Sequence, residues 1–131
     1  MIVDLNSKTW RRLRLMQFFL AIALFTFFAL VPGGQIDVRA YNDKVMHFLG
    51  NFALYFSAWA AYRNRFNNMH LFLILIPYSV AMEFSQLLSP GRAFDLRDLA
   101  ANLSGLATGL LLTFALERLY SQYKARQLDG I

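Results

Sequence analysis

The chain has 131 residues, of which 57% are hydrophobic and 16% charged, with 13 Phe and no Cys. That charge content falls below the roughly 25% usual in soluble domains, which points to an integral membrane protein. The missing cysteine excludes disulfides, thiol nucleophiles, Cys-ligated metal and a lipid-anchored cysteine. The formal net charge is +5, but Lys and Arg stand between apolar runs rather than along one stripe, so nucleic acid is not an expected partner.

A helical span needs roughly 20 mostly apolar residues. The first such window is about residues 15–31, LMQFFLAIALFTFFALV, preceded by Lys8, Arg11, Arg12 and Arg14. It is too long for a signal-peptide core, and no small-x-small cleavage site follows it. The second is about residues 45–62, VMHFLGNFALYFSAWAAY. Lys44, His47 and Asn51 step along its first turns at i, i+3 and i+7, which puts them on one face. His47 can be a hydrogen-bonded structural group or a proton or phosphate contact. Zinc is not expected, because His70 falls at the opposite end of the next span and no second histidine joins His47.

The third window is about residues 69–88 and contains Pro77. Glu83 lies about five residues from its end, roughly 8 Å below the surface. A carboxylate at that depth faces the bundle interior and a partner. Gln86 follows one turn on. The connector SPGRAFD carries a Pro-Gly turn with Arg92 at its lip, suited to a carboxylate or a lipid phosphate. The fourth window is about residues 96–116. Asp95, Asp98, Asn102, Gly105 and Gly109 are spaced 3, 4, 3 and 4, a single helical stripe. Asp95 can cap this helix, whereas Asp98 and Asn102 lie beyond capping reach. Gly105 and Gly109 form Gly-x-x-x-Gly, either internal packing or a surface for a homo-oligomer. The tail, 117–131, is basic.

Short connectors make neighbouring helices antiparallel, so the expected fold is all-α: a single-domain, membrane-embedded antiparallel four-helix bundle over residues 1–131. The termini and second connector hold nine Lys and Arg against four on the other side. The positive-inside rule then places both termini in the cytoplasm. The polar residues Asp43, Lys44, His47, Asn51, Glu83, Gln86, Arg92, Asp95, Arg97, Asp98 and Asn102 gather at the outer end, with nothing comparable expected at the inner end.

DKVMHFLGNFALYFSAW and EFSQLLSPGRAFDLRDLAANLSGLATG together resemble the VanZ-like family. Asp43, Lys44, His47, Phe48, Glu83, Gln86, Pro90, Gly91, Arg92, Asp95, Asp98, Asn102, Gly105 and Gly109 match its pattern in order, over about residues 40–115. The resemblance implies a small bacterial integral protein of the cytoplasmic membrane. Its namesake is associated with low-level resistance to the glycopeptide teicoplanin.

Three functions stay open. In the first, the outer cluster binds a lipid-linked anion, a polyprenyl phosphate or cell-wall precursor, through Asp43, Lys44, His47, Glu83, Gln86, Arg92, Asp95, Asp98 and Asn102. In the second, Glu83 and His47 act as base and acid of an intramembrane enzyme, with Asp95 and Asp98 on a divalent cation. In the third, the cluster only joins helices in an accessory protein. No cofactor is called for, and no Ser, Cys or Thr sits in a nucleophile motif.

Overall fold

The computed structural model describes residues 8–30, 40–91 and 93–129. Arg92, expected at the lip of the cluster, lies outside them. The described residues form four helices and no strand: α1 (Lys8–Leu30), α2 (Ala40–Tyr62), α3 (Asn68–Ser85) and α4 (Leu96–Asp129). The all-α expectation holds.

Local chemistry sets the helix ends. Asn67 caps α3, accepting the His70 backbone N–H at 2.8 Å through its side chain. Pro77 is carried inside α3 without ending it. After Ser85 the chain tightens into a 3₁₀ turn, Gln86–Leu88. The Ser89 hydroxyl then donates to the carbonyl of Leu30 at 2.7 Å, satisfying an orphan acceptor at the end of α1. Gly91 has φ of 76°, a left-handed backbone suited to the second central position of a Pro-Gly turn.

Register follows from paired contacts. Along α1 and α2 these run in opposite order: Phe18 meets Tyr62, Gln17 meets Ser57, and Phe25 faces Gly50. Along α2 and α4 they run in the same order: Lys44 meets Asp98, Asn51 meets Asn102, Tyr55 faces Gly109 and Trp59 meets Glu117. Along α3 and α4 the order reverses again, from Glu83 with Asn102 to Asn68 with Glu117.

Glycine lets α2 and α4 approach closely. A Cβ on Gly105 would strike the backbone carbonyl of Phe48 and come within 3.0 Å of the Phe52 nitrogen. One on Gly109 would sit 2.8 Å from the Tyr55 ring. The two glycines are therefore used inside the chain, against α2. Below them Leu54, Tyr55, Ala58, Leu71, Leu75, Leu106 and Leu110 form the core, with Phe18.

Among the described residues, two helical stretches, 68–88 and 96–128, are long and apolar enough to cross a membrane. The polar face of α2 lowers its apolar content. At about 1.5 Å per residue, the 34 residues of α4 extend about 50 Å, well beyond a hydrocarbon core of about 30 Å. The tail thus continues the fourth helix to Asp129.

Candidate functional site

The site is assembled from the first turns of α2, the last of α3 and the first of α4. His47, Asn51, Glu83, Gln86, Asp98 and Asn102 are all buried there, and Asn51 and Glu83 have no exposed surface. Burying this many polar groups is costly unless they are bonded. Most of them are.

Lys44 joins α2 to α4. Its ammonium donates to Asp95 Oδ2 at 3.0 Å and to Asp98 Oδ1. Asp95 also closes α4: its Oδ1 accepts the Arg97 backbone N–H at 2.8 Å, and its carbonyl accepts the N–H groups of Asp98 and Leu99. The Arg97 amide, and then Lys44, hold the Asp95 carboxyl below the usual carboxylate range. Asp95 thus caps α4 with one oxygen and reaches Lys44 with the other.

One turn deeper lies an amide chain. Asn51 Nδ2 donates to the His47 backbone carbonyl at 3.0 Å and to Asn102 Oδ1 at 2.6 Å. Asn102 Oδ1 also meets His47 Nδ1 at 3.0 Å, and Asn102 Nδ2 approaches Glu83 Oε2 at 3.4 Å. Ser79 donates to Asn51 Oδ1 at 2.8 Å. Glu83 further receives the Asp95 backbone N–H at 3.4 Å. Outside this chain, His47 Nε2 stands 3.8 Å from both Asp43 Oδ1 and Asp98 Oδ2.

Of the expected residues, Asp43, Lys44, His47, Asn51, Glu83, Asp95, Asp98 and Asn102 come together. Gln86 is buried just past Glu83, with its backbone N–H closing α3 on Met82 and Glu83. Arg97 joins only through its amide, and its side chain is exposed. Glu83 and His47 do not share a direct hydrogen bond, since Nδ1 is 4.0 Å from the carboxylate and turned to Asn102.

Ser79 was not among the expected residues. Its signal was present: it precedes Glu83 by four positions, on the same helical face. The opposite end, the inner one in the expected orientation, also departs from expectation. There Trp59 Nε1 and Asn68 Nδ2 donate to the two oxygens of Glu117 at 2.8 and 2.9 Å, and Tyr55 donates to the Asn68 carbonyl at 3.0 Å. An apolar cleft of about 250 Å³ lies beside this end, lined by Phe18, Ala58, Tyr62, Phe66, Leu71, Ile74 and Leu75. It shares no residue with the outer cluster, which is a packed polar network.

Fold and site thus describe an all-α protein with membrane-length helices and a buried ionisable network at one end. The model of the VanZ/LLP1 family matches residues 2–117, and the chain belongs to that family. No curated protein and no solved structure matches it.

Proposed function

We propose that the four helices form an antiparallel bundle embedded in a bacterial cytoplasmic membrane, as a single domain with both termini in the cytoplasm. At the outer end the polar network holds the anionic headgroup of a lipid-linked phosphate, a polyprenyl phosphate or a cell-wall precursor. The observation that carries this reading is the buried carboxylate, imidazole and amide network drawn from three helices at one end of the molecule. Only 33% of each membrane-length apolar window is buried within the protein, and large apolar side chains such as Leu73, Ile74, Leu111 and Phe114 face outward. Such a surface suits lipid rather than water.

Lys44 supports the headgroup role by count. An ammonium has three donors, and Asp95 and Asp98 take two. The third is available to a phosphate oxygen, with Arg92 as the second cationic contact. Binding of a cell-wall precursor would also connect the chain to teicoplanin tolerance. In this reading the protein is a binding or accessory component of the cell envelope.

Mass spectrometry of lipids retained through gentle purification tests it. Anionic polyprenyl lipids should be enriched over bulk phospholipid, and Lys44→Gln should abolish the enrichment. Equal retention of all lipids would overturn the reading. Reporter tags placing the Ser89–Pro90 turn in the cytosol would overturn the orientation.

A further inference from the structure

The orientation of the buried amides fixes one nitrogen of His47. The His47 backbone carbonyl can only accept, so the Asn51 atom bonded to it is the NH₂ group. That same NH₂ contacts Asn102, so the Asn102 atom it meets is the carbonyl oxygen. His47 Nδ1 shares this oxygen and must donate to it. In the neutral ring the lone pair is then on Nε2, which points away from the amide chain. Among the described residues Nε2 makes no hydrogen bond; it faces the carboxylates of Asp43 and Asp98 at 3.8 Å each.

Three donor atoms, one each from Asp43, His47 and Asp98, lie within 4.8 Å of one another. Ligands held at about 2.0–2.2 Å from a common ion are about 3–4 Å apart, so this spacing needs little adjustment. We propose that Asp43, His47 and Asp98 bind one divalent first-row metal ion of the Mn²⁺ or Zn²⁺ kind.

Three further features support the site. The His47 ring is nine-tenths buried and its Nδ1–H is held by Asn102, as metal-bound imidazoles are held from their far nitrogen. Lys44 occupies Asp98 Oδ1, which leaves Oδ2 directed at His47. And the Nε2 lone pair of the neutral ring faces two carboxylate oxygens, a repulsion that a shared cation would remove. An imidazole with two carboxylates suits Mn²⁺ or Zn²⁺ better than Ca²⁺, which takes oxygen ligands. Zinc is not expected from the sequence alone, because no second histidine joins His47. The carboxylates of Asp43, four residues before His47, and Asp98, on another helix, take that place.

Three protein ligands leave coordination positions open. A phosphate oxygen there would let an acidic cluster hold an anion; this step rests on the proposed headgroup reading, while the ion itself does not. The test uses the full chain in detergent, stripped with chelator and titrated with Mn²⁺ by electron paramagnetic resonance and with Zn²⁺ by calorimetry, with no lipid added. One ion per chain should bind, weakened at least about tenfold in Asp43→Asn, His47→Gln and Asp98→Asn. Glu117→Gln, at the far end, should bind as wild type does. Absence of stoichiometric binding overturns the proposal. So does a folded Asp43→Asn that binds unchanged; Asp43 is half-buried near the start of α2, so this variant serves even where His47→Gln fails to accumulate. An ion that binds without any lipid preference would remove the headgroup reading and leave the metal site standing.

Discussion

The two ends of the α2–α4 seam solve the same packing problem with different chemistry. At the inner end one carboxylate, Glu117, accepts from an indole and an amide. At the outer end Asp43, Glu83, Asp95 and Asp98 crowd around one lysine, one histidine and two asparagines. Both ends join the same helices. Joining them therefore does not require four carboxylates, and burying two of these, Glu83 and Asp98, is unfavourable unless a cation or proton offsets them. The contrast supports the proposal that the Glu117 end joins helices and the Lys44–Glu83 end holds a ligand.

The largest expected effect falls on the seam that both ends share. Gly105→Leu would drive a side chain into the Phe48 carbonyl, a backbone atom that cannot swing aside. Overpacking of this kind costs about 3 kcal/mol or more. Folded protein should disappear from size-exclusion profiles, taking both networks with it. Gly50→Ala is the control: its Cβ would meet the Phe25 ring, which can move, so folded protein should persist.

Next comes the inner end. Glu117→Leu strips acceptors from Trp59 and from the buried amide of Asn68. A buried donor left unpaired costs about 1–3 kcal/mol. The melting temperature in detergent should fall while lipid retention by the surviving fold stays at the wild-type level. Lost retention at unchanged stability would reverse the assignment of the two ends.

Glu83→Gln probes the outer end with a smaller stability effect. Its two hydrogen bonds are long, 3.4 Å each, and glutamine keeps one of the two oxygens that accept them. Stability should change within about 1 kcal/mol, and protein should accumulate normally. Headgroup enrichment should nevertheless be lost. A drop in abundance instead would place Glu83 among the groups that only join helices.

Periodicity located the outer end because its residues repeat at helical spacing: Lys44, His47 and Asn51 on one element, and Asp95, Asp98 and Asn102 on another. Each face could be found alone, and both belong to one site. The inner network has no such pattern. Tyr55, Trp59, Asn68 and Glu117 come from three helices, and each reads as an ordinary boundary residue until the register of α2 against α4 brings them together. Register likewise turns the Gly105 and Gly109 stripe toward α2, a contact that spacing alone does not distinguish from one with a second copy.

Asp95 should show the smallest effect, and it separates two roles. Its Oδ1 caps α4 and its Oδ2 holds Lys44, but it is not among the three atoms that converge on His47 Nε2. Asparagine caps a helix about as well as aspartate, so Asp95→Asn keeps the acceptor for the Arg97 amide. The contact to Lys44 is solvent-exposed and adds little, and Asp98 still holds the ammonium. Melting temperature and metal affinity should both match wild type within error. Asp95→Ala removes the cap as well and should lower the melting temperature without weakening the ion. Were Asp95→Asn to weaken Mn²⁺ as strongly as Asp98→Asn does, the ion would be bound between Asp95 and Asp98 instead, and His47 would lose its place as a ligand.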